Sequence, residues 1–315
     1  MIPYDQKKGI FKDPKLQKDF HENGYVIVPF ISLEQIDELF GVYRSCYPDG
    51  VEGFFSTTFA NNVDHREKVN RSIKEICIKQ IEDLFENYKI LFSSFIVKAP
   101  GESSRLIMHQ DMTLVDEKHY SGINIWCPMV DLTETNGAIE VLPKSHRFYE
   151  TYRGSSIPDI YDNVKDEVAS LMQPCYLKAG EAIIFDQSII HNSPPNLSDA
   201  ERPTINTFVA HNDARIKICY WDKETFGDNI EIFEQEDDFL EKFENFGHNI
   251  FSRPTIGKSL GLFPYDFPKL TVDQIERELG VKIETTTKST PKKEMPATPE
   301  RKQSWIKRLF STKTA

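Results

Sequence analysis

Residues 180–191 read Gly180-Glu181-Ala182-Ile183-Ile184-Phe185-Asp186-Gln187-Ser188-Ile189-Ile190-His191. Two apolar runs flank a polar Asp-Gln-Ser break, so the stretch predicts a strand, a turn and a second strand with a histidine at its end. The same texture fills residues 90–211. Strands are expected at 92–98, 105–111, 122–131, 137–142, 174–178, 181–185, 188–192 and 203–211, with Gly, Pro and Asn between them. Many short strands broken by turn signals suggest a β-sandwich or barrel.

Before this region, residues 14–23 and 33–47 have helical periodicity and enclose a short strand at 24–28. Val69, Ile73, Ile76, Ile81, Leu84, Phe85 and Tyr88 predict a helix over 66–89. These helices should pack outside a sheet, which makes the class mainly β with flanking helices. Residues 212–280 are mixed, with helices expected at 237–246 and at 270–279, the latter with Thr271 as N-cap.

The tail has a different composition. Residues 285–304 are Thr-, Lys-, Pro- and Ser-rich and read as disordered. In 304–310, Trp305, Ile306, Leu309 and Phe310 would share one helical face against Lys307 and Arg308, the chemistry of a weak membrane-surface or protein contact. Residues 285–315 carry eight basic and two acidic side chains, a charge of +6. The whole chain is at -11, which leaves -17 on the remainder. An acidic body argues against a nucleic-acid partner. The five cysteines are scattered, with no C-x-x-C pair, which disfavours a disulfide framework or zinc knuckle and fits a reducing cytoplasm. Residues 1–9 are polar, so no signal peptide is expected, and no apolar run is long enough for a transmembrane segment.

Chemistry enters with Met108-His109-Gln110-Asp111-Met112. On a strand, i and i+2 point the same way, so His109 and Asp111 would face one side of a sheet. With His191 they would supply two imidazoles and a carboxylate, the ligand set of non-haem iron(II) oxygenases. H-x-D is short, however, and recurs at His211-Asn212-Asp213, where it reads as a surface turn. A lone His191 would read as a core histidine. Arg202 opens the strand 203–211 and would share a face with Thr204 and Asn206. If buried it needs an anion; otherwise it is a solvated arginine at a strand start.

Four segments together resemble the phytanoyl-CoA dioxygenase family of iron(II)/2-oxoglutarate oxygenases, over roughly residues 15–211. They are Phe20-x-x-x-Gly24-Tyr25-Val26-Ile27-Val28; His109-Gln110-Asp111; Asn136-Gly137-Ala138-Ile139-Glu140-Val141-Leu142-Pro143-Lys144-Ser145-His146; and His191-Asn192-Ser193 with Arg202. The resemblance implies a double-stranded β-helix (jelly-roll, cupin-like) core at about 90–211. Around it would stand a helical part at 10–89 and an extension at 212–284, one oxygenase domain over 1–284. It implies Fe(II) on His109, Asp111 and His191. It further implies 2-oxoglutarate held by Arg202 with Ser193 nearby, and Trp126 and Asn124 beside the co-substrate. His146 would be structural. Lys98 reads as facing solvent, with contact to an anionic group as its alternative, and Arg105 as either a substrate contact or a surface residue.

The implied reaction uses O2, with ascorbate as an in vitro reductant, and hydroxylates a small-molecule, acyl or natural-product substrate with release of succinate and CO2. An aspartate at 111 argues against halogenation, while desaturation and epoxidation stay open. So do two other classes: a non-catalytic jelly-roll metal-binding or regulatory protein, and a cupin-like isomerase or hydrolase.

Overall fold

The computed structural model describes residues 7–148, 151–242 and 251–283. Its strands in chain order are β1 (Tyr25–Pro29), β2 (Phe54–Ser56), β3 (Tyr88–Lys98), β4 (Leu106–His109), β5 (Gly122–Pro128), β6 (Glu140–Val141) and β7 (Gln173–Pro174). Then follow β8 (Glu181–Asp186), β9 (His191–Ser193), β10 (Arg202–His211), β11 (Ile216–Tyr220), β12 (Asn229–Gln235) and β13 (Lys258–Pro264). A six-stranded antiparallel sheet runs β1-β8-β5-β10-β3-β2, a four-stranded one β4-β9-β6-β7, and a three-stranded one β11-β12-β13.

Alternation along β5 shows how the layers arise. Ile123, Ile125 and Cys127 pack with Phe20, Leu39, Ile73 and Ile81 from three helices, α1 (Pro14–Asn23), α2 (Leu33–Cys46) and α3 (Val63–Leu84). Trp126 points the other way and packs, with Ile183 and Phe185 of β8, against Ile139, Val141, Leu177 and Ile189. The large sheet is therefore covered on both faces, by helices on one and by the small sheet on the other. That is why β5 is buried at every position.

The N-terminal elements and β10 fall within a few residues of expectation, and Thr271 does cap the helix Val272–Leu279, accepting from the Gln274 amide. Other boundaries move. The helix expected over 66–89 is Val63–Leu84, and Tyr88 belongs to β3. The strands expected at 105–111, 137–142 and 188–192 shrink to Leu106–His109, Glu140–Val141 and His191–Ser193. Residues 216–264 contribute the third sheet, which the sequence reading left unassigned. Of the helix expected at 237–246, Phe239–Lys242 is present and 243–246 lie outside the described residues. The tail, with 304–310, also lies outside them. Among the described residues no helix is long and apolar enough to cross a membrane.

The Ser145-His146 turn ties the helical layer to the small sheet. Ser145 accepts from the Ile190 amide at 2.8 Å and donates to the Leu142 carbonyl at 2.7 Å. His146 Nε2 donates to the His21 carbonyl at 3.1 Å, at the end of α1. Gly24 is required here twice over: its φ is +83°, and a Cβ would meet the His146 ring at 2.4 Å.

Burial lowers the His146 pKa from 6.5 to about 4, so the folded chain holds a neutral imidazole. A depressed folded pKa means the unfolded chain binds more protons below 6.5, and stability present above that pH is lost as pH falls toward 4. His146 alone should account for about 2 kcal/mol of the loss between pH 7 and pH 5. Urea titrations at the two pH values should show His146→Gln losing less stability over that interval than the unaltered chain; an equal loss in both would refute the assignment.

Candidate metal centre and its cavity

His109 and His191 face each other as direct partners across β4 and β9, with ring centroids 4.2 Å apart. Each ring donates from Nδ1 to a backbone carbonyl two residues earlier, His109 to Ile107 at 2.8 Å and His191 to Ile189 at 3.0 Å. That bond fixes the tautomer and leaves both Nε2 lone pairs for a metal. Burial, with His109 second, lowers the His191 pKa to about 4, so its lone pair is free at neutral pH.

Asp111 joins them by another route than the expected one. It lies beyond the end of β4, whose pairing is irregular between Leu106 and His109, so strand alternation does not orient it. Its amide donates to the Gln187 carbonyl at 3.0 Å. One carboxylate oxygen accepts from Asn124 Nδ2 at 2.8 Å, and the other lies 3.7 Å from His109 Nε2. Ligand atoms of His109, Asp111 and His191 all fall within 4.8 Å of one another, a spacing one ion could bridge. Two imidazoles and a carboxylate fit iron(II) and leave coordination positions open.

The three line a cavity of about 240 Å³ between the two larger sheets. Arg202, Ser193, Trp126 and Asn124 line it too. Arg202 is only 1% exposed, so it is not the solvated arginine of the simpler reading. Its guanidinium lies over the Trp126 ring at 5.1 Å and donates from Nη1 to Thr204 at 2.8 Å, while its Nε has no partner among the described residues. Burial lowers its pKa to about 9, and among the described residues no carboxylate pairs with it. A carboxylate ligand would supply the missing charge.

Asn124 is bonded to two polar neighbours. Its amide holds Asp111 and its oxygen accepts from Asn206 at 2.9 Å. Lys98 is the clear correction: expected in solvent, it is fully buried, donating to the carbonyls of Ser104, Ser193 at 3.0 Å and Pro194 at 2.8 Å. Burial lowers its pKa to about 6. Arg105 is an exposed surface residue paired with Glu102 at 3.1 Å and does not line the cavity. The second H-x-D is the expected turn, His211 accepting from the Asp213 amide at 3.1 Å. Sequence reasoning missed Arg153, Gln110 and the wall formed by Phe54, Phe59, Leu114 and Phe208. Arg153 and Phe208 come from distant segments, and no local spacing marks the others as lining.

A family model described as phytanoyl-CoA dioxygenase matches residues 20–204. Phytanoyl-CoA dioxygenase domain-containing protein 1 of Danio rerio is 30% identical over 204 residues, 62% of this chain and 60% of its own. Phytanoyl-CoA dioxygenase 1 of Oryza sativa subsp. japonica is 26% identical over 142 residues, 44% of this chain and 48% of its own. The chain thus spans about half to three fifths of the relatives it matches. Among solved structures, a non-heme alpha ketoglutarate dependent carbocyclase from nogalamycin biosynthesis, SnoK, aligns with a TM-score of 0.49 at 16% identity, covering 65% of this chain and 86% of its own. HygX from Streptomyces hygroscopicus, solved with nickel and 2-oxoglutarate bound, aligns with a TM-score of 0.48 at 10% identity, covering 64% and 87%.

Proposed function

The chain belongs to the phytanoyl-CoA dioxygenase family, and from that premise we propose that it is an iron(II)- and 2-oxoglutarate-dependent dioxygenase with a jelly-roll core. The observation that carries this reading is the pairing, in one cavity, of a converging His109-Asp111-His191 set with a buried guanidinium that has no anionic partner among the described residues. A metal-binding protein without a diacid co-substrate has no use for Arg202 there, and nor has a cupin-like isomerase.

In this assignment His109, His191 and the outer oxygen of Asp111 hold the metal, and Asn124 keeps the second Asp111 oxygen turned away from it. Arg202, with Ser193 at its side, binds the distal carboxylate of 2-oxoglutarate, and Trp126 supports the guanidinium plane. The apolar wall of Phe54, Phe59, Leu114 and Phe208 keeps water from the centre and leaves room for a substrate C–H bond. Bound iron would supply the oxidation, in which 2-oxoglutarate and O2 give succinate and CO2 and one oxygen atom goes to the substrate. An aspartate ligand at 111 leaves no position for halide, which favours hydroxylation over halogenation. Residues 1–284 form the oxygenase domain on this reading.

Incubation with Fe(II), ascorbate, O2 and 2-oxoglutarate, with succinate read by mass spectrometry, should show turnover that a broad substrate panel accelerates. His109→Ala should remove it. Tight metal uptake with no succinate across the panel would favour the non-catalytic binding protein instead.

A further inference from the structure

Asp111 is fixed by its own contacts rather than by a strand, and one of them stands apart. Its carbonyl accepts from Arg153 Nε at 2.8 Å, across 42 residues of chain. Arg153 forks onto Glu117, with Nη1 to Oε2 at 2.8 Å, and both side chains are only 8% exposed. The main chain is laced to the same segment, Thr113 N–H to the Arg153 carbonyl at 3.1 Å and Arg153 N–H to Thr113 Oγ1 at 2.9 Å. A buried ion pair is poor at stabilising a fold, since a well-packed apolar pair of similar volume does as well or better. What an apolar pair cannot do is donate to the Asp111 carbonyl. Arg153, Gly154 and Ser155 also line the cavity. One short segment therefore forms a wall of the substrate space and grips a metal ligand.

We propose that Arg153, oriented by Glu117, is a positioning residue that sets the Asp111 carboxylate for metal binding and joins the cavity wall at 153–155 to the metal centre. The inference rests on the metal-centre reading above. The test is Co(II) binding to the full chain without 2-oxoglutarate, followed by calorimetry and by the visible absorption of the bound ion. Arg153→Lys keeps a cation opposite Glu117, but an ammonium lacks the planar fork that reaches both Glu117 and Asp111. The double variant R153M/E117M removes both charges together, so no uncompensated charge is left in the core. Both should bind Co(II) about 10- to 100-fold more weakly, the usual cost of losing an outer-shell partner, with a changed spectrum of the bound ion. Their metal-free melting temperatures should stay near that of the unaltered chain. Folded variants with unaltered affinity and spectrum overturn the proposal. An unaltered chain that takes up no Co(II) overturns the metal-centre reading itself, an outcome distinct from variants that match a chain that binds.

Discussion

Asp111→Ala should take Co(II) or Fe(II) binding below detection and bring succinate formation to background, while the chain stays folded. Loss of an outer-shell partner costs about 10- to 100-fold in metal affinity, and loss of one of three ligands should exceed the upper end of that range. Folding should survive because the backbone at 111 is anchored independently of its side chain, through the Gln187 carbonyl and Arg153 Nε. The side chain itself is 25% exposed and fills no part of the core. Asn124→Ala should fall between, about 10- to 100-fold weaker, since it frees the second carboxylate oxygen without removing the ligand. Circular dichroism and melting curves establish folding, and calorimetry gives the affinity. An Asp111→Ala protein that binds Co(II) like the unaltered chain would remove the centre altogether.

The same aspartate marks how far the sequence could be read. Strand alternation put His109 and Asp111 on one face, and the two do meet, but for another reason. β4 stops at His109, and Asp111 is turned toward the site by Gln187, Arg153 and Asn124, from three distant segments. His191 was legible because its strand follows a clear apolar run; that it stands directly across from His109 is a property of register, which no motif states. β8 and β10, buried at nearly every residue, were legible for the same physical reason that they are stable. β13 was not, being exposed at every residue and so without a burial pattern. Lys98 shows the opposite limit. A lysine before Pro100-Gly101 looks solvated, and only the convergence of three backbone carbonyls makes its burial tolerable.

Arg202→Met should separate binding from stability in a way no ligand substitution at the metal can. The guanidinium is buried with no anionic partner among the described residues, and although its pKa is lowered to about 9 it remains charged at pH 7. An uncompensated buried charge destabilises a fold, so an apolar side chain of similar length should leave the ligand-free chain as stable as before or more so. Binding should move the other way. Truncating one member of a buried hydrogen-bonded charge pair costs roughly 2–5 kcal/mol, a rise in the dissociation constant for 2-oxoglutarate of about 30-fold to several thousand-fold. In the unaltered chain, 2-oxoglutarate with Co(II) should raise the melting temperature by mass action, and in Arg202→Met that rise should vanish while Co(II) alone still binds. Arg202→Lys should recover little, because an ammonium presents no planar fork to a carboxylate. A variant that is less stable yet binds 2-oxoglutarate with undiminished affinity would make Arg202 a structural residue held by Thr204, and among the described residues lining the cavity the diacid co-substrate would be left with no arginine but Arg153, which Glu117 already occupies.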